Sequence, residues 1–399
     1  MKALIPFIKL FKQQWLFMSL GLLLTMTTII AGIGLLSLSG WFLSAAAVAG
    51  LTAATALAFN FFTPAGGVRF LSIARTASRY GERLVTHEAT FRLLTNLRVW
   101  VWQKLLPLSA KNLQGVRRGD LLNRLVADID TLDHLYLRLL VPMTGSLLVL
   151  GLLYLFLAMF DASLAKVLCG ILLAMWLLIP ALFYLLGREP GVAQVQTKAN
   201  YRVTLLEYLQ GQSELTLFGA NQRYRQQLDD SEMALHRAQI AMANVSALSQ
   251  ACLVLMSGIA VIVMLYLSAQ GVGSHVPPGP LMALMVFATM ACIEMMMPLA
   301  GAFQHLSACV MAANRLTQVT EQQSDIVFNP QATASLTDVS ISFKQVSFGY
   351  DAQVPVLQNL DLHIVAGSKV AILGKTGSGK SSLLSLLTRE WQPQQGKFV

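Results

Sequence analysis

The chain has 399 residues, 55% of them hydrophobic and 12% charged, with a formal net charge of +9. A charged fraction about half that of ordinary globular domains excludes a protein covered on all sides by a polar surface. Cys169, Cys252, Cys292 and Cys309 are far apart and form no C-x-x-C pair, which argues against a metal site or a disulfide framework and for apolar filler.

Residues 13 to 68 carry no charged side chain, enough for two spans of about 20 residues each. Further apolar stretches at about 137–160, 163–187, 246–269 and 279–301 bring the expected spans to six. Pro64 and Gly66-Gly67 interrupt the second. The first stretch is too long for the apolar region of a cleavable signal peptide and reads as a retained span.

Lys and Arg crowd two connections, from Arg69 to Arg138 and from Arg188 to Arg237. The short connections near 40–52, 159–165 and 270–278 hold none. This asymmetry places the basic segments and both termini in the cytoplasm, and the positive charge is then a topology signal with no need of nucleic acid. Ser72 to Leu106 has the pattern of a long helix continuing the second span, stopped by Pro107, and a helix resumes through Asp120–Arg124. The second basic segment repeats the plan, with an expected break from Gly187 to Gly191 and a turn near Gly211 and Gly219.

After Arg315 the composition becomes that of a water-exposed domain. The expected division is a membrane domain over 1–317, a linker over 318–338 and a partial nucleotide-binding domain over 339–399. Ile341–Tyr350 and Leu357–Val365 alternate like paired strands, with a turn at Asp351–Pro355. Val370-Ala371-Ile372-Leu373 reads as a buried parallel strand, and Lys380–Trp391 as a helix.

Between these two lies Gly374-Lys375-Thr376-Gly377-Ser378-Gly379-Lys380-Ser381, a complete G-x-x-x-x-G-K-[ST] phosphate loop. Its glycines let backbone N–H groups turn toward phosphate oxygens. Lys380 reaches the β- and γ-phosphates, the Ser381 hydroxyl takes Mg²⁺, and Ser382 completes the ATP contacts.

Six spans before such a loop resemble a type-IV ABC exporter half-subunit: an α-helical membrane domain joined to the first part of an α/β P-loop domain. The resemblance makes Tyr350, in Val346-Ser347-Phe348-Gly349-Tyr350, the aromatic that stacks on adenine. It makes residues near 108–120 and 208–221 the two coupling helices. Ser39-Gly40-Trp41-Phe42-Leu43-Ser44-Ala45, Arg79-Tyr80-Gly81-Glu82-Arg83-Leu84-Val85, Asp130-Thr131-Leu132-Asp133-His134-Leu135-Tyr136-Leu137 and Gly301-Ala302-Phe303-Gln304-His305-Leu306 are similar to the CydC family. Its members form one half of heterodimeric CydDC transporters of the bacterial inner membrane, which serve cytochrome bd assembly. The resemblance implies ATP and Mg²⁺ as cofactors, a CydD-like half-subunit as partner, and haem or small thiols as cargo.

No Q-loop, LSGGQ-type signature, Walker B strand or switch histidine occurs within the 399 residues. These residues alone are therefore expected neither to hydrolyse ATP nor to power transport, and a non-catalytic truncated remnant is an alternative. Arg75, Arg79, Arg83 and His87 recur every four residues on one helix face. Such a row could hold haem, with arginines on the propionates and His87 as axial ligand, or be a snorkelling positive face. Export of glutathione or cysteine is the second cargo reading. Glu294, a carboxylate inside the sixth span, serves either cargo or gating, or a hydrogen bond to a neighbouring helix. His134 and His305 read as structural, and His363 as a surface residue.

Overall fold

The computed structural model describes residues 6–7, 12–109, 112, 124–302, 306–323, 340–351 and 354–398. The first coupling segment near 108–120, His305, residues 120–123 and most of the linker (324–338) lie largely or wholly outside them. Contacts divide the chain into two units, residues 1–97 with 127–314 and residues 98–126 with 315–399.

The first unit is helical. Helix α1 runs Trp15–Ala49, a short α2 Ala53–Ala58, and α3 Phe62–Leu105. Helix α4 spans Arg124–Ala158, with π-helical turns at Arg124–Asp128 and Leu135–Leu140. Then follow α5 Ala162–Gln210, α6 Gln212–Leu217, α7 Asn221–Gln270, α8 Pro280–Ala302 and α9 Leu306–Thr320. Among the described residues, five helices (α1, α4, α5, α7 and α8) are long and apolar enough to cross a membrane.

The expected second span begins helix α3, which is 44 residues long but carries Arg69, Arg75, Arg79 and Arg83 along its length. Its start is set locally. Asn60 Oδ1 accepts the N–H groups of Phe62 and Thr63 at 3.1 and 3.2 Å, and Pro64 falls in the first turn, where a missing N–H costs nothing. The helix ends just before Pro107.

The expected break at Gly187–Gly191 does not form. Helix α5 passes through it unbroken, with Pro180 and Pro190 inside. Both glycines are buried, and a Cβ at Gly187 would stand 3.6 Å from a Val245 methyl on α7. Gly187 is a contact point between helices rather than a hinge. The turn near Gly211 and Gly219 is present: α5 stops at Gly211, α6 crosses, and Gly219 takes φ +64 before α7.

Small residues bring the spans close, as expected where lipid tails supply no hydrophobic drive between helices. A Cβ at Gly40 on α1 would run into the ring of Phe287 on α8. Thr28 Oγ1 donates to Ser78 Oγ at 3.1 Å between α1 and α3, and Trp176 Nε1 to Ser146 Oγ at 3.0 Å between α5 and α4. The core behind these contacts includes Leu157, Leu168, Met264, Met285 and Cys292, all fully buried. All four cysteines are free thiols. At the connection between α4 and α5, Asp161 accepts from the Ser163 and Leu164 N–H groups and the Ser163 hydroxyl, and its other oxygen takes the N–H of Gly273 at 2.8 Å.

In the second unit, β1 (Ile341–Phe348), β2 (Leu357–Ile364) and β3 (Gln395–Phe398) form an antiparallel sheet in the order β2-β1-β3. The two segments pair as expected; the β1–β2 register sets Ile341 against Ile364 and Phe348 against Leu357, with irregularities on either side of Val346. Phe343, Val346 and Phe348 pack against Leu383 and Leu386 of helix α10, Lys380–Leu387. That helix is shorter than the Lys380–Trp391 expected. Val370–Leu373 is not a strand, and Leu373 is 90% exposed. A parallel strand is stabilised by neighbours on both edges and helices on both faces, and the described residues supply this segment with neither.

Candidate functional site

The phosphate loop joins residues 370–373 to helix α10. Gly377 and Gly379 adopt φ of +87 and +85, a region closed to most side chains. Gly379 caps α10, and a Cβ there would meet the Leu357 side chain at 2.8 Å. A Cβ at Gly374 would stand 2.7 Å from Ser378 Oγ. The loop therefore needs its glycines both for conformation and for space.

Lys380 Nζ donates to the carbonyls of Gly374 and Lys375, each at 2.7 Å, and reaches Ser378 Oγ at 3.4 Å. This folds the ammonium back onto the loop, at the start of a helix whose dipole favours anions. Lys375, Thr376, Ser378 and Ser381 are exposed around it. These residues fit a nucleoside triphosphate with its Mg²⁺: the loop supplies backbone donors, one cation and an exposed Ser381 hydroxyl.

Tyr350 stands just past β1, 46% exposed, with its hydroxyl 3.1 Å from Ser382 Oγ. Ser382 is itself buried, so its side chain anchors Tyr350 to α10. Trp391 packs edge-on against Tyr350, ring centres 5.1 Å apart and planes at 90°, and against Phe348 at 5.7 Å. Neither the Ser382 link nor Trp391 was legible beforehand, since both depend on how the chain returns after α10. Tyr350 is thereby fixed from two sides and offers a ring where a base could stack.

In the helical unit the structure joins three of the five cargo candidates. Arg75 Nη2 of α3 is 2.5 Å from Glu294 Oε2 of α8, and Arg79 Nη1 is 3.5 Å from Glu294 Oε1. Arg75 and Glu294 line a cavity of about 400 Å³ whose wall includes Gly32, Ser39, Met290 and Ala291; Arg79 reaches it through Glu294. Arg83 and His87 lie further along α3, both exposed, with the His87 ring stacked on Phe91 at 6.0 Å. Neither contacts Glu294. Gly32 escaped sequence reasoning because a glycine in an apolar run has no distinguishing signal.

Comparison with known proteins bears on the family and the fold. The ABC transporter transmembrane region model matches residues 22–293, and the ABC transporter model matches residues 357–399. The chain is 46% identical over its whole length to the glutathione/L-cysteine transport system ATP-binding/permease protein CydC of Escherichia coli (strain K12), spanning 70% of that protein. It is 41% identical to the CydC protein of Haemophilus influenzae (strain ATCC 51907 / DSM 11121 / KW20 / Rd), spanning 69% of it. It is 25% identical over 85% of its length to the CydD protein of Bacillus subtilis (strain 168), covering 59% of that protein. The solved structure of a bacterial Atm1-family ABC exporter with ATP bound superposes with a TM-score of 0.75 over 97% of this chain and 67% of that one, at 18% identity. A multi-pass helical domain of the exporter fold, a phosphate loop in an ABC ATPase segment and this degree of identity mean that the chain belongs to the CydC family of ABC transporter half-subunits.

Proposed function

We propose that the chain is one half of a heterodimeric, ATP-driven transporter of a bacterial inner membrane, paired with a CydD-like half-subunit, and that its cargo is a small thiol, glutathione or L-cysteine. The distribution of Lys and Arg supports cytoplasmic termini. Tyr350 and residues 374–382 contribute one face of an ATP site, with Ser381 toward Mg²⁺. The observation that carries the cargo reading is the Arg75–Glu294–Arg79 cluster beside a cavity lined otherwise by apolar or short residues of α1 and α8. Charged groups at such depth are costly and serve cargo or a partner helix, and both thiols named for the relatives bear carboxylates.

A second reading, haem as cargo in support of cytochrome bd assembly, is favoured by a different observation. Arg79, Arg83 and His87 share one exposed face of α3, and Phe91 supports the imidazole. Arginines would pair with propionates and His87 would supply an axial nitrogen.

The test uses inverted membrane vesicles containing the complete heterodimer. ATP-dependent accumulation of labelled L-cysteine or glutathione, reduced by Arg79→Ala, supports the thiol reading. Absence of uptake, together with a haem Soret band lost in His87→Ala, would replace it with the haem reading.

A further inference from the structure

We propose that Arg75, Arg79 and Glu294 form a recognition site for an α-amino-acid zwitterion, in which Glu294 receives the cargo's ammonium group and the two guanidinium groups hold its carboxylate. The assignment rests on the thiol reading and specifies which part of the thiol is recognised.

The two oxygens of Glu294 face different guanidinium groups, Oε2 toward Arg75 and Oε1 toward Arg79. The trio carries a net charge of about +1 and holds unused capacity of both kinds. A carboxylate offers about four acceptor positions and a guanidinium five donors, and these two contacts engage few of them. The side chains remain accessible, Arg75 at 32%, Arg79 at 52% and Glu294 at 53% exposure. The cavity is small and otherwise lined by apolar or short residues, including Gly32, Leu35, Leu36, Ser39 and Met290.

Gly32 matters to access. A Cβ there would lie 3.4 Å from Arg75 Nε and 3.6 Å from Glu294 Oε2. Any side chain beyond a methyl would therefore cover both charges from the α1 side.

A ligand bearing only a carboxylate would gain the arginines and be repelled by Glu294. One bearing only an amine would gain Glu294 and be repelled by two cations. A zwitterion satisfies both, and its opposite charges replace the internal ion pair it opens, which limits the desolvation cost at this depth. L-Cysteine and the γ-glutamyl end of glutathione each carry an ammonium and a carboxylate on one carbon. A shared group accounts for two cargoes of different size in one site.

The experiment is competition against ATP-dependent uptake of radiolabelled L-cysteine by the complete heterodimer in inverted vesicles. Competitors are unlabelled L-cysteine, 3-mercaptopropionate (no ammonium) and cysteamine (no carboxylate). In the wild type each analogue should compete about tenfold or more weakly than L-cysteine, the loss expected for one charge-assisted contact. In Glu294→Gln, competition by L-cysteine should weaken about tenfold, while 3-mercaptopropionate competes as well as before or better. Equal weakening of both ligands, or wild-type competition by 3-mercaptopropionate equal to that of L-cysteine, would overturn the assignment. If Glu294→Gln does not assemble, Glu294→Asp keeps the carboxylate and should keep the preference for the ammonium; loss of that preference also overturns it. Absence of any thiol uptake by the wild type removes the thiol reading itself, an outcome distinct from uptake without discrimination.

Discussion

Arg75 Nη2 and Glu294 Oε2 meet at 2.5 Å although the residues stand 219 positions apart in sequence. Their contact ties α3 to α8 and places opposite charges beside an otherwise apolar cavity. Both side chains are partly exposed, so solvent screening keeps the pair well below the strength of a fully buried one. In a double-mutant cycle with Arg75→Ala and Glu294→Ala, thermal unfolding of the detergent-solubilised transporter should give a coupling of about 0.5–1 kcal/mol. Strictly additive single effects would show that the contact contributes no stability.

Close approach of α1 and α8 at Gly40 makes a second, independent prediction. Because a Cβ at Gly40 would enter the Phe287 ring, Gly40→Ala should destabilise by about 1–3 kcal/mol through overpacking. Adding Phe287→Ala should recover part of the loss. Gly151, where a Cβ meets nothing within 4 Å, provides the control, and Gly151→Ala should leave the melting temperature unchanged or raised.

Asp161 joins the start of α5 to the connection before α8. Partial burial raises its pKa, but this is outweighed by the hydrogen bonds from the Gly273 N–H, the Ser163 hydroxyl and the Leu164 and Ser163 N–H groups, and the carboxyl is held below the usual range. A folded-state pKa below the unfolded one means stability that is present above the unfolded value, about 3.9, and is lost as pH falls through the folded value. Asp161→Ala should cost about 1–2 kcal/mol at neutral pH, the loss of a helix cap. Melting temperatures of variant and wild type should draw together as pH falls below the unfolded value and through the folded one; a constant offset at every pH would contradict this account.

At the nucleotide site, Tyr350→Ala should weaken ATP binding by about 0.5–1.5 kcal/mol through loss of the aromatic face. Tyr350→Phe keeps the ring and loses only the Ser382 link, so it should bind almost as the wild type does. Lys380→Ala should weaken binding further, by about 1.5–3 kcal/mol, through loss of a charge-assisted contact to phosphate. Trp391, edge-on to Tyr350, should report binding as a change in intrinsic fluorescence that is absent in Trp391→Phe. An unchanged nucleotide Kd in Tyr350→Ala would remove Tyr350 from the adenine site.

Much of this was legible because it is local. A charge-free run longer than a bilayer, the strand alternation of 341–350 and 357–365, and the glycine spacing of 374–381 each follow from neighbours within a few residues. Expectations that depended on distant neighbours fared differently. The glycines at 187 and 191 suggested a break, yet they are buried within an unbroken α5, where Gly187 packs against Val245 of α7. Val370–Leu373 has the composition of a buried strand but lies exposed, since a parallel strand exists only through the hydrogen bonds of its flanking strands.

The sequence by itself determined the class of protein: apolar stretches of membrane length and a phosphate loop whose chemistry is written in consecutive positions. Tertiary structure alone decided which charges meet. Arg75, Arg79, Arg83 and His87 are equivalent by spacing, yet Arg75 and Arg79 reach Glu294 while Arg83 and His87 lie further along the exposed face of α3. The physical reason is that periodicity fixes which face of a helix a residue occupies, whereas its partner is set by the helix packed alongside, here α8 drawn close to α1 at Gly40.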